Sequence, residues 1–324
     1  MQSKTFTSRQ LSMIVLSCCS LLGMGCFMYA VDLSFLQDRI SAITKRNDGF
    51  EFGIYSNNVR VDTDNRFPSE QPWSERKGGV IQALQSRDEN GPTLVGLQEL
   101  KHNQLLDILQ GLNGNGNNAP WTHFGVGRDD GAEKGEYSAV LYNTDEWSLL
   151  NGTSRWLSET PDTPSIAWGA ATIRIVTMTT MQHKQSGKVV NYFNTHFDQK
   201  SEEARQNSAD LIAGWIQQIP NNYPTFLSGD FNSISSDVAY QTLQKSMKDS
   251  NTVAYQHING NLSTYTGFEK NDNQSIIDFI WSPLDTNQEN SNTYALKYEV
   301  LDNMYNGSRF SDHRPVNVHF KLYE

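Results

Sequence analysis

The sequence predicts an α/β fold of the α+β kind, with mixed β-sheets covered by helices. Three observations lead there. Short apolar runs outnumber helical stripes in the 324 residues. Strand and helix alternate in some places, and strand follows strand in others, which is the pattern of mixed sheets. No long linker interrupts the chain after residue 50, so residues 51–324 read as one domain and residues 32–50 as a linker or entry segment.

Phe52–Tyr55 is a short apolar strand. Trp73, Val80, Ile81 and Leu84 follow helical spacing behind Pro72, a residue suited to a helix start. Leu94–Leu97 is a buried-strand run after the turn Asn90-Gly91-Pro92. Leu105, Ile108, Leu109 and Leu112 form a helical stripe that ends in Gly- and Asn-rich sequence. Ser138–Tyr142, Ile173–Met181 and Val189–His196 read as strands, and the last sets Val190, Tyr192, Asn194 and His196 on one face. Ser201 caps a helix whose first turn carries Glu202 and Glu203 and whose end is Pro220. Thr225–Leu227 and Ile276–Trp281 are strands, Val238–Met247 is a helix, and Val316, Val318, Phe320 and Leu322 alternate in a final strand.

The first 31 residues read as a signal peptide or an N-terminal membrane anchor. Lys4 and Arg9 precede an uncharged run from Leu11 to Val31. A spanning helix needs about 20 apolar residues, and the basic flank stays on the cytoplasmic side. The domain is therefore expected outside the cytoplasm: secreted, periplasmic or membrane-anchored. Membrane contact is expected only through this segment, and nothing in the sequence calls for an obligate protein partner. Cys18, Cys19 and Cys26, the three cysteines of the chain, all lie in this segment. The body has no disulfide, no thiol nucleophile and no Cys-ligated zinc. From Asp32 onward 24 basic residues face 36 acidic ones, a charge of −12. Bulk charge will not hold this body on nucleic acid or an anionic membrane.

The informative residues are acids, amides and histidines set directly beside apolar strands. Glu99 follows Leu-Val-Gly-Leu-Gln, and His196 ends a strand. Asp230 and Asn232 follow Thr-Phe-Leu-Ser-Gly, Asp278 lies inside Ile-Ile-Asp-Phe-Ile-Trp, and Asp312 and His313 precede the last strand. An unpaired charge near a core is costly, so repeated placement at strand ends points to a site. The set suits phosphoester hydrolysis. A carboxylate such as Glu99 holds Mg²⁺, with Mn²⁺ or Ca²⁺ as alternatives. The metal neutralises phosphoryl oxygen, another carboxylate activates water, and amides and imidazoles stabilise the growing charge. No Gly-x-Ser-x-Gly elbow, His-Glu-x-x-His or phosphate-cradling glycine loop offers a rival chemistry.

In order along the chain stand Asn58-Val59-Arg60, Gln98-Glu99, Asn194-Thr195-His196, Gly229-Asp230-Phe231-Asn232, Ile277-Asp278-Phe279-Ile280 and Ser311-Asp312-His313-Arg314-Pro315-Val316. This series resembles the endonuclease/exonuclease/phosphatase (DNase I-like) superfamily over residues 50–322. Gly127-Arg128-Asp129-Asp130-Gly131 and Trp156-Leu157-Ser158-Glu159-Thr160-Pro161 resemble an uncharacterised exported branch of it. The resemblance implies a four-layered α/β sandwich, two mixed sheets face to face with helices outside. It implies Glu99, Asn58 and Asp312 at the metal, with Glu99 the direct ligand. Asp230 would activate water, Asn232 would steady the phosphate, and Asp312 would orient His313 against the scissile phosphate. Asp278 would support the catalytic centre. His196 would be a second histidine oriented by Glu136, and Arg174 would contact phosphate. Family members usually carry an aromatic before the first Asn. Here Asn57 stands there, so either Asn57 or Asn58 is the functional amide.

The expected function is divalent-metal-dependent phosphoester hydrolysis, as phosphodiesterase or phosphomonoesterase. The substrate is nucleic acid, which makes it a nuclease, or a small phosphorylated molecule such as a sugar or inositol phosphate. The competing reading is a catalytically inactive DNase I-like binding module or toxin-like subunit.

Overall fold

The computed structural model describes residues 49–88, 91–115, 118–269 and 275–323. The expected signal or anchor segment lies outside the described residues. Among the described residues no helix is long and apolar enough to cross a membrane.

Two large mixed sheets form the body. The first holds seven strands in the order β10-β12-β15-β1-β2-β4-β3. These are β1 (Phe50–Asn58), β2 (Thr93–Leu100), β3 (Trp121–Phe124), β4 (Tyr137–Asn143), β10 (Gln256–Ile258), β12 (Thr293–Val300) and β15 (Val316–Leu322). The second holds six in the order β5-β6-β7-β8-β11-β9. They are β5 (Trp147–Trp156), β6 (Ile175–His183), β7 (Val189–His196), β8 (Thr225–Asp230), β9 (Met247–Asp249) and β11 (Asp278–Pro283). β13 (Met304–Tyr305) and β14 (Ser308–Arg309) make a small separate hairpin. The helices are α1 (Trp73–Asp88), α2 (His102–Asn113), α3 (Glu202–Gln217), α4 (Val238–Gln244) and the single turn α5 (Ser250–Val253).

Side-chain alternation along the central strands explains the layering. In β1, Phe52 and Ile54 face a core with Leu94, Tyr192, Phe226, Ile280 and Val318, drawn from both sheets. Their neighbour Tyr55 faces the opposite way, onto Val80 and Leu84 of α1 and Leu105 and Ile108 of α2. In β7, Val190 and Tyr192 face the first sheet, while Phe193 joins Ala209 and Ile212 of α3 and Ala239 and Leu243 of α4. A strand buried on both faces can present apolar residues at consecutive positions. The three apolar clusters are the three interfaces of a helix–sheet–sheet–helix sandwich, the four-layered architecture the resemblance implied.

Several elements differ from the sequence expectation. β5 is ten residues long, yet it is an edge strand in which only Trp147 and Trp156 are fully buried, so its apolar pattern is weak. β3 and β12 also lacked a clear signal. The helix expected to reach Met247 stops at Gln244, because Met247 turns into β9 and pairs with Pro283. Ser201 does cap α3, accepting from the Ala204 amide.

Candidate active site

The sheet registers bring the strand-end residues together. His196 and Asp230 are paired positions on parallel β7 and β8, and Asp230 faces Asp278 across antiparallel β8 and β11. One row across the second sheet thus reads His196, Asp230, Asp278. From the first sheet, Asn58 ends β1 and Glu99 lies near the end of β2, its parallel neighbour. Between Leu97 and Leu100 the pairing with β4 shifts, and Glu99 sits in that irregularity with φ +62°. Such a bulge re-aims a side chain at a sheet end. Arg60 (φ +59°) and Asn232 (φ +45°) are also left-handed, so three strained non-glycine residues cluster at the site.

Asn58 donates from Nδ2 to Glu99 Oε1 at 2.9 Å and to Asp230 Oδ2 at 3.0 Å, joining the two sheets. Its Oδ1 accepts from the Arg60 amide at 2.9 Å. Asn58, not Asn57, is therefore the amide inside the site; Asn57 donates only to the Asn58 carbonyl. Asn58 thus enters the site as a donor between two carboxylates, with its oxygen turned to the Arg60 amide.

His313 Nδ1 lies 2.8 Å from Asp278 Oδ2, and its Nε2 lies 3.6 Å from Asp230 Oδ2. The partner that orients His313 is thus Asp278. Asp312 makes no hydrogen bond to the ring, and its Oδ1 is buried without a partner. Sequence adjacency misled because Asp312 lies in a bend and His313 in a bridge to Tyr265, while Asp278 reaches the ring from the start of β11. Burial opposes a charge on His313, but Asp278, Asp230 and Asp312 raise its pKa well above the usual histidine value. Burial lowers the pKa of His196 well below that value, reinforced by Arg174 and Arg128, so His196 is neutral. Burial raises Asp230, and Asp278 adds to it. Burial raises Asp312 as well, with Glu99 contributing. Glu99 is lowered: burial works against its charge, but hydrogen bonds from Asn58 and the Val61 amide outweigh it.

Two further expectations change. Glu136 is bidentate with Arg128, at 2.8 and 2.9 Å, and makes no hydrogen bond to His196. The residue that holds His196 is Asn232, whose Nδ2 lies 3.1 Å from His196 Nε2 and also donates to the Phe197 carbonyl. Both amide hydrogens of Asn232 are spent, so it positions an imidazole rather than donating to phosphate. Its backbone amide bonds Asp230 Oδ1 at 2.9 Å, an Asx turn that serves the site. Arg174 is 94% buried by side-chain area and donates to Gln199 Oε1.

Glu99, Asp230, Asp312, His313, His196, Asn232, Glu136 and Arg174 line a single cavity of about 360 Å³. Arg60, Arg128, Thr172, Gln199 and Tyr265 also line it, with Val61, Phe67 and Ile277 as its apolar part. Arg128 lay in a sequence motif; Thr172, Gln199 and Tyr265 carried no sequence signal. Ligand atoms of Glu99, His196 and Asp230 lie within 4.8 Å of one another, as do those of Asp230, Asp278 and His313. Glu99, Asp230, Asp278 and Asp312 gather in one buried site, and with Asp278 Oδ1 and Asp312 Oδ1 both unpartnered they fit a hard divalent cation.

The model of the endonuclease/exonuclease/phosphatase family matches residues 58–313. A family protein of known structure from Bacteroides thetaiotaomicron is 27% identical, with a TM-score of 0.75 over 86% of this chain and 100% of that one. A mannosyl-6-phosphatase from the same species is 28% identical, with a TM-score of 0.74 over 83% and 99%. An uncharacterized protein of Acanthamoeba polyphaga mimivirus is 27% identical over 192 residues, 56% of this chain and 69% of the relative. The sandwich, the ordered motifs and the matched span together place this chain in the endonuclease/exonuclease/phosphatase family, whose members hydrolyse phosphoester bonds.

Proposed function

We propose that the protein is a divalent-metal-dependent phosphoester hydrolase acting on a small phosphorylated molecule outside the cytoplasm. The observation that carries this reading is the convergence of Glu99, Asp230, Asp312 and His313 on one cavity. Mg²⁺ suits the oxygen donors; Glu99 and Asp312 would hold it, and it supplies charge neutralisation at the phosphoryl group. Asp230, its carboxyl raised by burial, takes a proton from the attacking water. The water oxygen bonds to phosphorus, the ester P–O bond breaks, and the transferred proton ends on the leaving oxygen. His313, kept cationic by Asp278, donates to a phosphoryl oxygen as charge builds. Asn232 keeps neutral His196 facing the same centre.

A small substrate is favoured over nucleic acid by the acidic body and the modest cavity. The likeness to a mannosyl-6-phosphatase supports a sugar phosphate. Action outside the cytoplasm rests on the uncharged run Leu11–Val31 behind Lys4 and Arg9. The test is a screen of sugar phosphates, inositol phosphates, RNA and DNA with Mg²⁺, Mn²⁺ or Ca²⁺. Glu99→Gln and His313→Ala are expected to keep the native circular dichroism and lose at least about 100-fold in kcat. Chelation by EDTA should abolish turnover, and added Mg²⁺ should restore it. Variants as active as the wild type would refute the assignment, and inert wild-type protein would favour the binding-module reading.

A further inference from the structure

Phe67, on the loop between β1 and α1, is an exposed apolar side chain anchored by buried charge. It is 49% exposed and lines the same cavity as Glu99, Asp230 and His313. Its amide donates to Glu70 Oε2 at 2.9 Å, and its carbonyl accepts from the Glu70 amide at 3.1 Å. Glu70 is buried and pairs with Arg60 (3.3 Å) and with buried Arg76 (3.6 Å). Arg76 donates to the carbonyls of Val59, Arg60 and Phe310. The loop is thereby tied to the end of β1 that carries Asn58 and to the segment leading into His313. Burial does not explain the place of the Phe67 ring, because half of it stays in water.

One face of that ring is occupied and the other is open. The Arg60 guanidinium carbon lies 4.5 Å from the ring centroid, a cation–π contact that covers one face. The charge of Arg60 is answered by Glu70 at 3.3 Å and Glu99 at 3.8 Å. The open face therefore offers apolar area and the negative side of an aromatic quadrupole, with no spare cation behind it. Val61 and Ile277 add aliphatic lining, and Tyr265 stands edge-on to His313 with centroids 5.1 Å apart. A surface of this kind attracts polarised C–H groups and gives nothing to an additional phosphate. The cavity, about 360 Å³, lies at the small end of ligand sites, which run from about 300 to 1,000 Å³.

We propose that Phe67 is a stacking platform for the C–H face of one sugar ring whose phosphate reaches Glu99, Asp230 and His313, so that the substrate is a singly phosphorylated sugar and not a polyphosphorylated inositol. The proposal rests on the hydrolase reading above and deepens it, by naming the residue that recognises the leaving group. A pyranose carries hydrogens on one face and hydroxyls around its rim, which suits a ring that is apolar at its centre and wet at its edge. A polyphosphorylated inositol would set charged oxygens against the negative face of Phe67, with no free cation there to offset their desolvation.

The experiment measures kcat and KM with Mg²⁺ for mannose 6-phosphate, glucose 6-phosphate, methyl phosphate and inositol 1,4,5-trisphosphate. Methyl phosphate is a primary alkyl ester like the two sugars, but it has no ring to stack. Phe67→Ala removes the platform and, at so exposed a position, should fold normally; Phe67→Tyr keeps the ring. Binding of mannose 6-phosphate, glucose 6-phosphate and inorganic phosphate is measured by calorimetry in the slow Glu99→Gln background, with and without Phe67→Ala. Wild type should prefer one of the sugars to methyl phosphate and to the trisphosphate by at least about tenfold in kcat/KM. The sugar-to-methyl ratio should fall about tenfold in Phe67→Ala, chiefly through KM, and stay within about twofold of wild type in Phe67→Tyr. The ratio of sugar phosphate to inorganic phosphate affinity should fall in parallel. An active wild type whose ratio is unchanged in Phe67→Ala, or falls as far in Phe67→Tyr, would overturn the platform and leave the hydrolase reading standing. A preference for the trisphosphate would overturn the substrate class. A wild type inert on every ester, with sugar phosphate binding that Phe67→Ala weakens more than phosphate binding, would support the platform and sink the hydrolase reading.

Discussion

His313 stands between two carboxylates, with Asp278 bonded to one ring nitrogen and Asp230 near the other. Two like charges directly opposite on neighbouring strands repel, and a cation between them offsets this. Asp278 therefore acts through His313, by keeping the ring protonated and oriented. Asp278→Asn is expected to lower kcat by about 100-fold while KM changes little, because the lost interaction grows with transition-state charge. Single-turnover kinetics would check it, and a variant that mainly raises KM would assign Asp278 to substrate binding instead. Asn232 was legible as a site residue from Gly-Asp-Phe-Asn. Its task was not, since only the fold shows both its amide hydrogens already taken.

The strands and their turns decide how these residues are aimed. The β2 irregularity directs Glu99 into the cavity, and Gly96 just before it lets the sheets approach. A Cβ at Gly96 would lie 2.5 Å from both Ser228 Oγ and Tyr192 Oη. Gly96→Ala is expected to destabilise the fold by about 1–3 kcal/mol, measured by urea unfolding; unchanged stability would mean the sheets have room to part. Asp249, at the junction of β9 and α5, accepts from Tyr240 Oη and the Asn251 amide, each at 2.9 Å. Burial pushes its carboxyl from 3.8 up to about 6. The unfolded chain loses this proton first, so the stability it contributes falls as pH rises between those values. Asp249→Asn keeps the cap and removes the titration. Relative to that variant, wild type should lose about 2 kcal/mol between pH 4 and pH 7. Urea unfolding at both pH values would show parallel behaviour if Asp249 titrates normally.

The whole molecule confines its chemistry to one end of a sandwich. Parallel strands β1, β2, β7 and β8 deliver their last residues there, and antiparallel β11 and β15 start beside them. The acidic body surrounding that end offers little long-range attraction to a polyanion. Plasmid DNA at 0.1 M salt is expected neither to shift in an electrophoretic assay nor to inhibit p-nitrophenyl phosphate hydrolysis. Inhibition at nanomolar DNA would restore a nuclease as the better reading.

Much of the site was legible because charged and amide residues beside apolar strands are costly unless they meet one another. Glu99, His196, Asp230, Asp278 and His313 announced themselves in this way, as did most central strands through their apolar runs. The edge strand β5 did not, because only its two end tryptophans are fully buried and no run of apolar residues is needed between them. The sequence by itself determined the layered α/β class and the residues available for phosphoester chemistry. Tertiary structure alone decided who bonds whom: Asp278 rather than Asp312 on His313, and Asn232 rather than Glu136 on His196. The physical reason is that hydrogen bonding acts over about 3 Å in space, while these partners are separated by long stretches of chain whose register only the sheets set.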